Sequence, residues 1–260
     1  MVANALWHEP LRRAAELIRQ SRRVIALVGA GMSVDSGIPT FRGPGGLWQR
    51  VGEPSDDDFR DFLEDPEAWL QRRMTPGGAE SEMLQGLLNA QPNAGHRALA
   101  KLEAEGIVQF LVTQNVDDLH ARAGSRQLAE IHGNIAKTRC LDCGSRQPFD
   151  IASGQAWPLG TCPSCGGTMK TDAVLFGEPI PADVMTRCEQ EVARSDCMLL
   201  LGTSAGVFPA AGLPLALRKK GGRLIEINPY VTDISSDCEV VIRASTTDAL
   251  PALVSMLVGE

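Results

Sequence analysis

The chain has 260 residues, 43% of them apolar, with 25 lysines and arginines against 32 acidic residues. That length supports a full hydrophobic core, as one large domain or as a domain plus a small module. No run of about 18 apolar residues occurs, which excludes a membrane-spanning helix, and a net charge of −7 leaves no overall basic footprint for nucleic acid.

The opening MVANALWHEPLRRAAELIRQ carries charges where a signal peptide needs its apolar stretch. It predicts an amphipathic helix with Leu11, Ala14, Ala15 and Ile18 on one face, and the expected location is the cytoplasm. Strands are predicted at 24–28, 108–112, 173–176, 198–201, 224–227 and 240–242, separated by helical patterns such as HRALAKLEAEG and PADVMTRCEQEVARS. The stretch DALPALVSMLVG predicts a closing helix. This alternation implies parallel crossovers, hence an α/β fold with a doubly wound, Rossmann-like parallel sheet. Two regions fall outside the rhythm, 32–95 and 134–171, and together predict a second, smaller domain.

The first strand runs into Gly29-Ala30-Gly31, as a dinucleotide-binding turn would. The pattern then breaks, because Val34 stands where a third glycine would open a helix, and Ser36-Gly37-Ile38-Pro39 leads to Phe41 and Arg42. Three other predicted strands end in polar or small residues: Gln114, Asn115, Asp117 and His120 in TQNVDDLH, Gly202-Thr203-Ser204 after MLLL, and Asn228 after LIEI. The carboxyl ends of parallel strands are where such a sheet places its ligands. Each group singly reads as a loop or a helix cap; four such ends in one sheet point to a ligand site.

Cys140 and Cys143 are followed by Cys162 and Cys165, with Gly144 and Gly166 after each second cysteine. This is the spacing of a four-thiolate zinc site, and disulfides fit poorly with a cytosolic chain. Four protein ligands fill a tetrahedral zinc, so the metal is structural and the chemistry lies elsewhere. Cys188, Cys197 and Cys238 are single and read as core residues.

Taken together, GAGMSVDSGIPTFRG, TQNVDDLH, IHGN, the four cysteines, VLFGE, GTSAGVFPAAG and IEIN, in this order across nearly the whole chain, resemble the sirtuins, NAD-dependent protein-lysine deacylases. The resemblance implies NAD as a consumed co-substrate, one structural zinc, acyl-lysine proteins or peptides as substrates, and a monomer without membrane or direct nucleic-acid partners. It implies a dinucleotide-binding domain from 1–31, 96–133 and 172–260, a cofactor loop and helical module over 32–95, and a zinc module over 134–171. The break after Gly31 then has a purpose, since the family uses a bending loop here to bury nicotinamide and release it. Phe41 and Arg42 would shield the reacting sugar and hold phosphate. Without the resemblance they read as an aromatic packed in a lid and a solvated cation.

The same resemblance assigns roles to individual residues. His132, in EIHGN, matches the general base that deprotonates a ribose hydroxyl, and an imidazole titrating near neutrality suits that task. His8, His96 and His120 read as caps or packing residues. Asn115 and Asp117 would orient the ribose hydroxyls and the nicotinamide carboxamide, with Gln114 on the ribose side. Gly29, Ala30, Gly31, Ser33, Gly202, Thr203, Ser204 and Asn228 complete the expected cofactor contacts. Val174, Leu175, Phe176, Gly177 and Glu178 match the segment that pairs with substrate backbone as an added strand, although a plain core strand fits the residues equally.

Sirtuins that remove acidic acyl groups carry a Tyr-x-x-Arg pair on a helix, and the matching positions here are Trp69 and Arg72. At i and i+3 the two share a helix face, and Arg72 would hold a terminal carboxylate through paired hydrogen bonds; a tryptophan packed beside solvated arginines is the competing reading. Gly206 and the absence of a glycine in IRASTTDALP depart from the family pattern without removing a chemical group. ADP-ribosyl transfer on the same site stays open. An NAD-dependent oxidoreductase would explain the glycines but neither the cysteines nor the SGIPTFRG loop, and a zinc-binding recognition module would explain the cysteines alone.

Overall fold

A computed structural model describes residues 7–42, 45–73, 79–150 and 160–259. The first helix, α1 (His8–Gln20), buries Leu11, Ala14, Ala15 and Ile18 as its periodicity predicts. It leads into β1 (Val24–Val28), buried along its whole length. An unbroken apolar run suits the centre of a helix-covered parallel sheet, where a strand is buried on both faces, and that is where β1 lies. It pairs in parallel with β2 (Phe110–Thr113) on one side and with β8 (Cys197–Leu201) on the other. The sheet is completed by β3 (Leu128–Glu130), β9 (Arg223–Ile227) and β10 (Val240–Ile242), in the order β10-β9-β8-β1-β2-β3.

Side chains of β1 alternate between two cores, as strand geometry requires. Val24, Ala26 and Val28 face Leu11, Leu99 and Leu250, whereas Ile25 and Leu27 face Phe110, Val192 and Leu217. The first core is supplied by α1, α6 (Ala94–Ala104) and α10 (Thr246–Val258), and the second by α8 (Ala182–Arg194) and α9 (Gly212–Lys219). Each such buried aliphatic side chain is worth about 1.5–3 kcal/mol, so both sheet faces drive folding.

Between β1 and α6 there is no strand among the described residues. Two 3₁₀ turns, Ala30–Met32 and Val34–Ser36, end at Gly37, whose φ of +88° continues no helix. Short helices follow: α2 (Leu47–Val51), α3 (Asp58–Glu64), α4 (Pro66–Arg73) and α5 (Ala79–Asn89). A further helix, α7 (Leu119–Ala123), starts just beyond β2. The cysteine-containing region forms a second, antiparallel sheet of β4 (Lys137–Cys140), β5 (Arg146–Pro148), β6 (Gly160–Thr161) and β7 (Thr168–Thr171), ordered β5-β4-β7-β6.

Two expectations about strands are corrected, and one sheet strand was not predicted. Residues 173–176 form no strand; the Val174 amide donates to the His132 carbonyl at 2.9 Å and the chain turns at once, with Glu178 N–H closing on the Leu175 carbonyl at 3.0 Å. The strand expected at 108–112 is displaced to Phe110–Thr113, because Val108 N–H caps α6 on the Leu102 carbonyl. The three-residue β3 at the sheet edge is too short to be recognised by pattern.

Candidate active site

The sheet order reverses at β1, from which the chain runs outward through β2 and β3 on one side and β8, β9 and β10 on the other. Doubly wound sheets bind ligands at this switch point, beyond the carboxyl ends of the two diverging strands. Here those ends are the Gly29-Ala30-Gly31 and Gly202-Thr203-Ser204 turns, and they are packed on each other. Gly31 N–H donates to the Gly202 carbonyl at 2.8 Å. A Cβ on Gly31 would lie 2.7 Å from that oxygen, and one on Gly29 would lie 2.8 Å from Thr203 Cα. The glycines are required first by this contact between two loops; Ser204 is exposed and the loop beyond it, 205–209, is half-buried to exposed.

Polar side chains from β2 close the floor. Gln114 Nε2 donates to Thr203 Oγ1 at 2.8 Å, and Asn228 Nδ2 donates to the Thr203 carbonyl at 3.0 Å, so three strand ends are tied together. Asn115 Nδ2 donates to the Gly29 carbonyl at 3.1 Å and to Ser33 Oγ at 3.2 Å. Ser33 in turn donates to Asp117 Oδ2 at 2.6 Å, while Asp117 Oδ1 accepts the Leu119 amide at 3.0 Å. Ser33, Asn115 and Asp117 are all buried. Burial raises the Asp117 carboxyl above its ordinary range, and the Ser33 and Leu119 hydrogen bonds oppose that rise.

His132 follows β3 and stands half-buried beside this floor. Its Nδ1 lies 3.1 Å from the Gln114 carbonyl oxygen, which can only accept, so Nδ1 carries hydrogen and Nε2 holds the free lone pair. Burial lowers its pKa from the ordinary 6.5, and the Gln114 bond opposes that. The ring is therefore held as a neutral base at physiological pH. Gly133 follows because the Asp172 carbonyl oxygen would lie 1.9 Å from a Cβ there.

Phe41 is half-buried and Arg42 exposed; Gly43 and Pro44, in the same motif, lie outside the described residues. Phe41 packs on Trp48, which packs edge-on to Phe176, each with ring centroids 5.3 Å apart. The Arg42 guanidinium lies 4.7 Å over the Trp48 ring and donates from Nε to Glu53 Oε1 at 2.8 Å. Both members of this pair are substantially exposed, so the pair is worth about 0–1 kcal/mol and an anion can displace Glu53.

The segment from Val174 to Gly177, tied to His132 by the Val174 amide, is half-buried to exposed, whereas Glu178 turns its carboxylate inward onto Arg139 and Lys170. Trp69 and Arg72 lie on α4, as expected, but their side chains differ in setting. Trp69 is buried edge-on against Phe62 and its indole N–H donates to Asp58 Oδ1 at 2.8 Å, while Arg72 is exposed. The Trp69 indole donor is thus committed to Asp58.

The four cysteines converge as their spacing predicts: all sulfurs lie within 4.8 Å of one another, with Cys140–Cys165 at 3.5 Å and Cys143–Cys162 at 3.7 Å. Tetrahedral zinc with bonds of about 2.3 Å sets sulfurs ~3.8 Å apart, so the residues fit that metal. No other group of three or more metal-binding side chains occurs among the described residues.

Sequence reasoning read His96 as a cap or packing residue, and it is both. It closes a capping box with Asn93 at the start of α6, and its Nε2 reaches Ser33 Oγ at 3.5 Å. The His120 ring packs against it, tilted by 53° at 4.7 Å between centroids, and is buried. The asparagine three residues before a helical histidine was the available signal for the cap; the contact with Ser33 had none.

Comparisons with known proteins agree with this geometry. The sequence profile of the Sir2 family matches residues 29–209. The NAD-dependent protein deacylase 1 of Archaeoglobus fulgidus is 41% identical over 241 residues, 91% of this chain and 94% of that protein. The NAD-dependent protein deacetylase of Caldivirga maquilingensis is 39% identical over 95% of this chain and 94% of its own. Among solved structures, a Sir2 homologue in complex with NAD superposes with a TM-score of 0.80 at 38% identity, covering 95% of this chain and 94% of that one. A Sir2 with a deacetylated p53 peptide and 3'-O-acetyl ADP-ribose gives 0.78 at 30% identity over 96% and 98%. On sequence and architecture alike, the chain belongs to the Sir2 family.

Proposed function

We propose that the chain removes acyl groups from lysine side chains of proteins in a reaction that consumes NAD. The observation that carries this reading is the convergence of Ser33, Asn115, Asp117 and His132 on the switch-point floor laid by the two glycine turns. Relatives named for the same activity over nearly their full length support it.

Bound NAD supplies an electrophilic ribose carbon as its bond to nicotinamide breaks. The chain's own residues do the rest. Gly29, Ala30, Gly31, Gly202, Thr203, Ser204 and Asn228 bind the dinucleotide, with Gln114 on the ribose side, and Asn115 and Asp117 orient the ribose hydroxyls and the nicotinamide carboxamide. Phe41 covers the reacting centre and excludes water, and Arg42 exchanges Glu53 for phosphate. His132 accepts a ribose-hydroxyl proton at Nε2, a task in which a positioned base contributes about 10²–10⁴-fold.

The acyl-lysine peptide adds to the backbone of 174–177 as an extra strand. Arg72, exposed on α4, is the group that recognises an acidic acyl chain, so succinyl-lysine is accepted beside acetyl-lysine. The cysteines hold zinc away from the chemistry. In this reading 1–31, 96–133 and 172–260 act as the cofactor domain, with 32–95 and 134–171 as the modules that close over it.

Mass spectrometry of acetyl- and succinyl-lysine peptides, incubated with and without NAD, tests the proposal. Acyl loss that depends on NAD is expected. Gain of ADP-ribose on the peptide without acyl loss would replace it by transferase activity.

A further inference from the structure

Segment 173–178 is anchored at several points while one set of its backbone groups is left open. Val174 N–H donates to the His132 carbonyl at 2.9 Å, the Phe176 carbonyl accepts from Phe59 N–H at 3.0 Å, and Lys170 Nζ donates to the Ala173 carbonyl at 2.6 Å. Leu175 is held on both sides by Glu178, whose N–H donates to the Leu175 carbonyl at 3.0 Å and whose side-chain Oε2 accepts the Leu175 N–H at 2.9 Å. Among the described residues, nothing hydrogen-bonds to the Val174 carbonyl or to the Phe176 and Gly177 amides, and 173–177 are half-buried or exposed.

The Glu178 carboxylate belongs to a buried ion network built on the antiparallel sheet. Its Oε2 lies 3.0 Å from Lys170 Nζ of β7, and Oε1 is bound by Arg139 of β4. Arg139 Nε also reaches Asp172 Oδ1 at 2.9 Å, where Arg146 joins at 3.2 Å. The side chains of Arg139, Lys170, Asp172 and Glu178 are all less than a tenth exposed. Arg139 directly precedes Cys140. Desolvation cancels much of the attraction in such a network, so an apolar core of equal volume would stabilise as well. What an apolar core would lack is an acceptor for the Leu175 amide at a fixed place.

We propose that Glu178 is a positioning residue for the acyl-lysine peptide: by holding the Leu175 amide it sets the 173–177 backbone as a preformed edge, referenced through Arg139 and Lys170 to the four-cysteine sheet. A preformed edge removes ordering cost from binding, so the effect falls on peptide affinity. The inference rests on the deacylase reading and adds to it which side chain builds the substrate edge.

The test compares Glu178→Ala, Glu178→Gln and Asp172→Asn in the full chain. Glu178→Ala removes the acceptor, Glu178→Gln keeps an oxygen for the Leu175 amide without the charge, and Asp172→Asn weakens the same network without touching that amide. Expected is a rise of at least tenfold in peptide KM for the alanine variant and a smaller rise for glutamine. KM for NAD and kcat stay within about twofold. Asp172→Asn lowers the melting temperature and leaves peptide KM unchanged.

Amide hydrogen exchange of 173–178, measured without NAD or peptide, should quicken for both Glu178 variants and not for Asp172→Asn. If the alanine variant does not fold, the glutamine variant and its exchange decide. Equal rises in peptide KM for Glu178→Gln and Asp172→Asn, or unchanged exchange at Leu175, would overturn the proposal. Altered exchange in a protein that shows no NAD-dependent acyl loss would sink the deacylase reading and leave the ordering of the edge standing.

Discussion

Ser33 and Asp117, from loops at the ends of two adjacent strands, are joined by a 2.6 Å hydrogen bond in which the serine donates. The same hydroxyl oxygen accepts from Asn115, so one small side chain orders both residues assigned to the reacting end of the cofactor. We predict that Ser33→Ala leaves a buried carboxylate and a buried amide short of partners, at a cost of about 1–3 kcal/mol in stability. kcat/KM for NAD should fall by about tenfold or more. Steady-state kinetics and urea denaturation test this; kinetics equal to wild type would show that Ser33 orders nothing that matters to the reaction.

His132→Ala should lower deacylation by about 10²-fold or more with fold and zinc content intact. Activity within about threefold of wild type, under roughly 0.7 kcal/mol of barrier, would remove His132 from the mechanism. Because burial lowers its pKa, the base is neutral above that value and protonated below it. The acid limb of kcat/KM against pH is therefore expected below 6.5, and a limb at or above 6.5 would contradict the assignment.

His96 makes stability depend on pH. Burial, with Arg97 adding to it, lowers its pKa from 6.5 to about 4, and its Nδ1 accepts the Asn93 amide, which an imidazolium cannot do. Between those values the unfolded chain binds a proton that the folded one refuses. The contribution is complete above pH 6.5 and falls as pH drops toward 4, by up to about 3 kcal/mol. Denaturation of wild type and His96→Gln at pH 7, 6 and 5 should show the gap between them narrowing as pH falls. A constant gap would mean that His96 does not titrate in this way.

Cys140→Ser should lose zinc and melting temperature together, since Cys140 is fully buried on β4 and binding free energy at such sites is folding free energy. A zinc-free variant of wild-type stability would defeat the structural role.

Arg72→Met should lower succinyl-lysine turnover by about ten- to hundredfold, the effect of a charge-assisted contact worth roughly 1.5–3 kcal/mol, and spare acetyl-lysine turnover. Equal loss of both activities, or a wild type inert toward succinyl peptides, would end the selectivity claim. With the Trp69 N–H held by Asp58, the arginine carries this prediction alone.

The central strands were legible because an unbroken apolar run such as Val24–Val28 has few other places to go, and the four cysteines because metal geometry dictates their spacing. The polar strand ends were legible as a set. Segment 173–176 misled because its backbone is held by single bonds, such as Val174 N–H to the His132 carbonyl, rather than by a ladder, and composition does not separate the two. The partner of Trp69 was hidden since Asp58 stands in an acidic run that reads as solvated surface. Glu178 looked like a substrate contact, and only the fold brings Arg139 and Lys170 to it.

The register between Val24 and Cys197 bears on how the molecule is made. During synthesis β1 can pair with β2 early, yet its other edge stays open until β8 has left the ribosome, and the Gly31–Gly202 contact cannot form before then. Nucleotide affinity should thus be the last property a nascent chain acquires. Until that moment an apolar central strand lacks a neighbour, which makes the interval the one most exposed to mispairing with other chains.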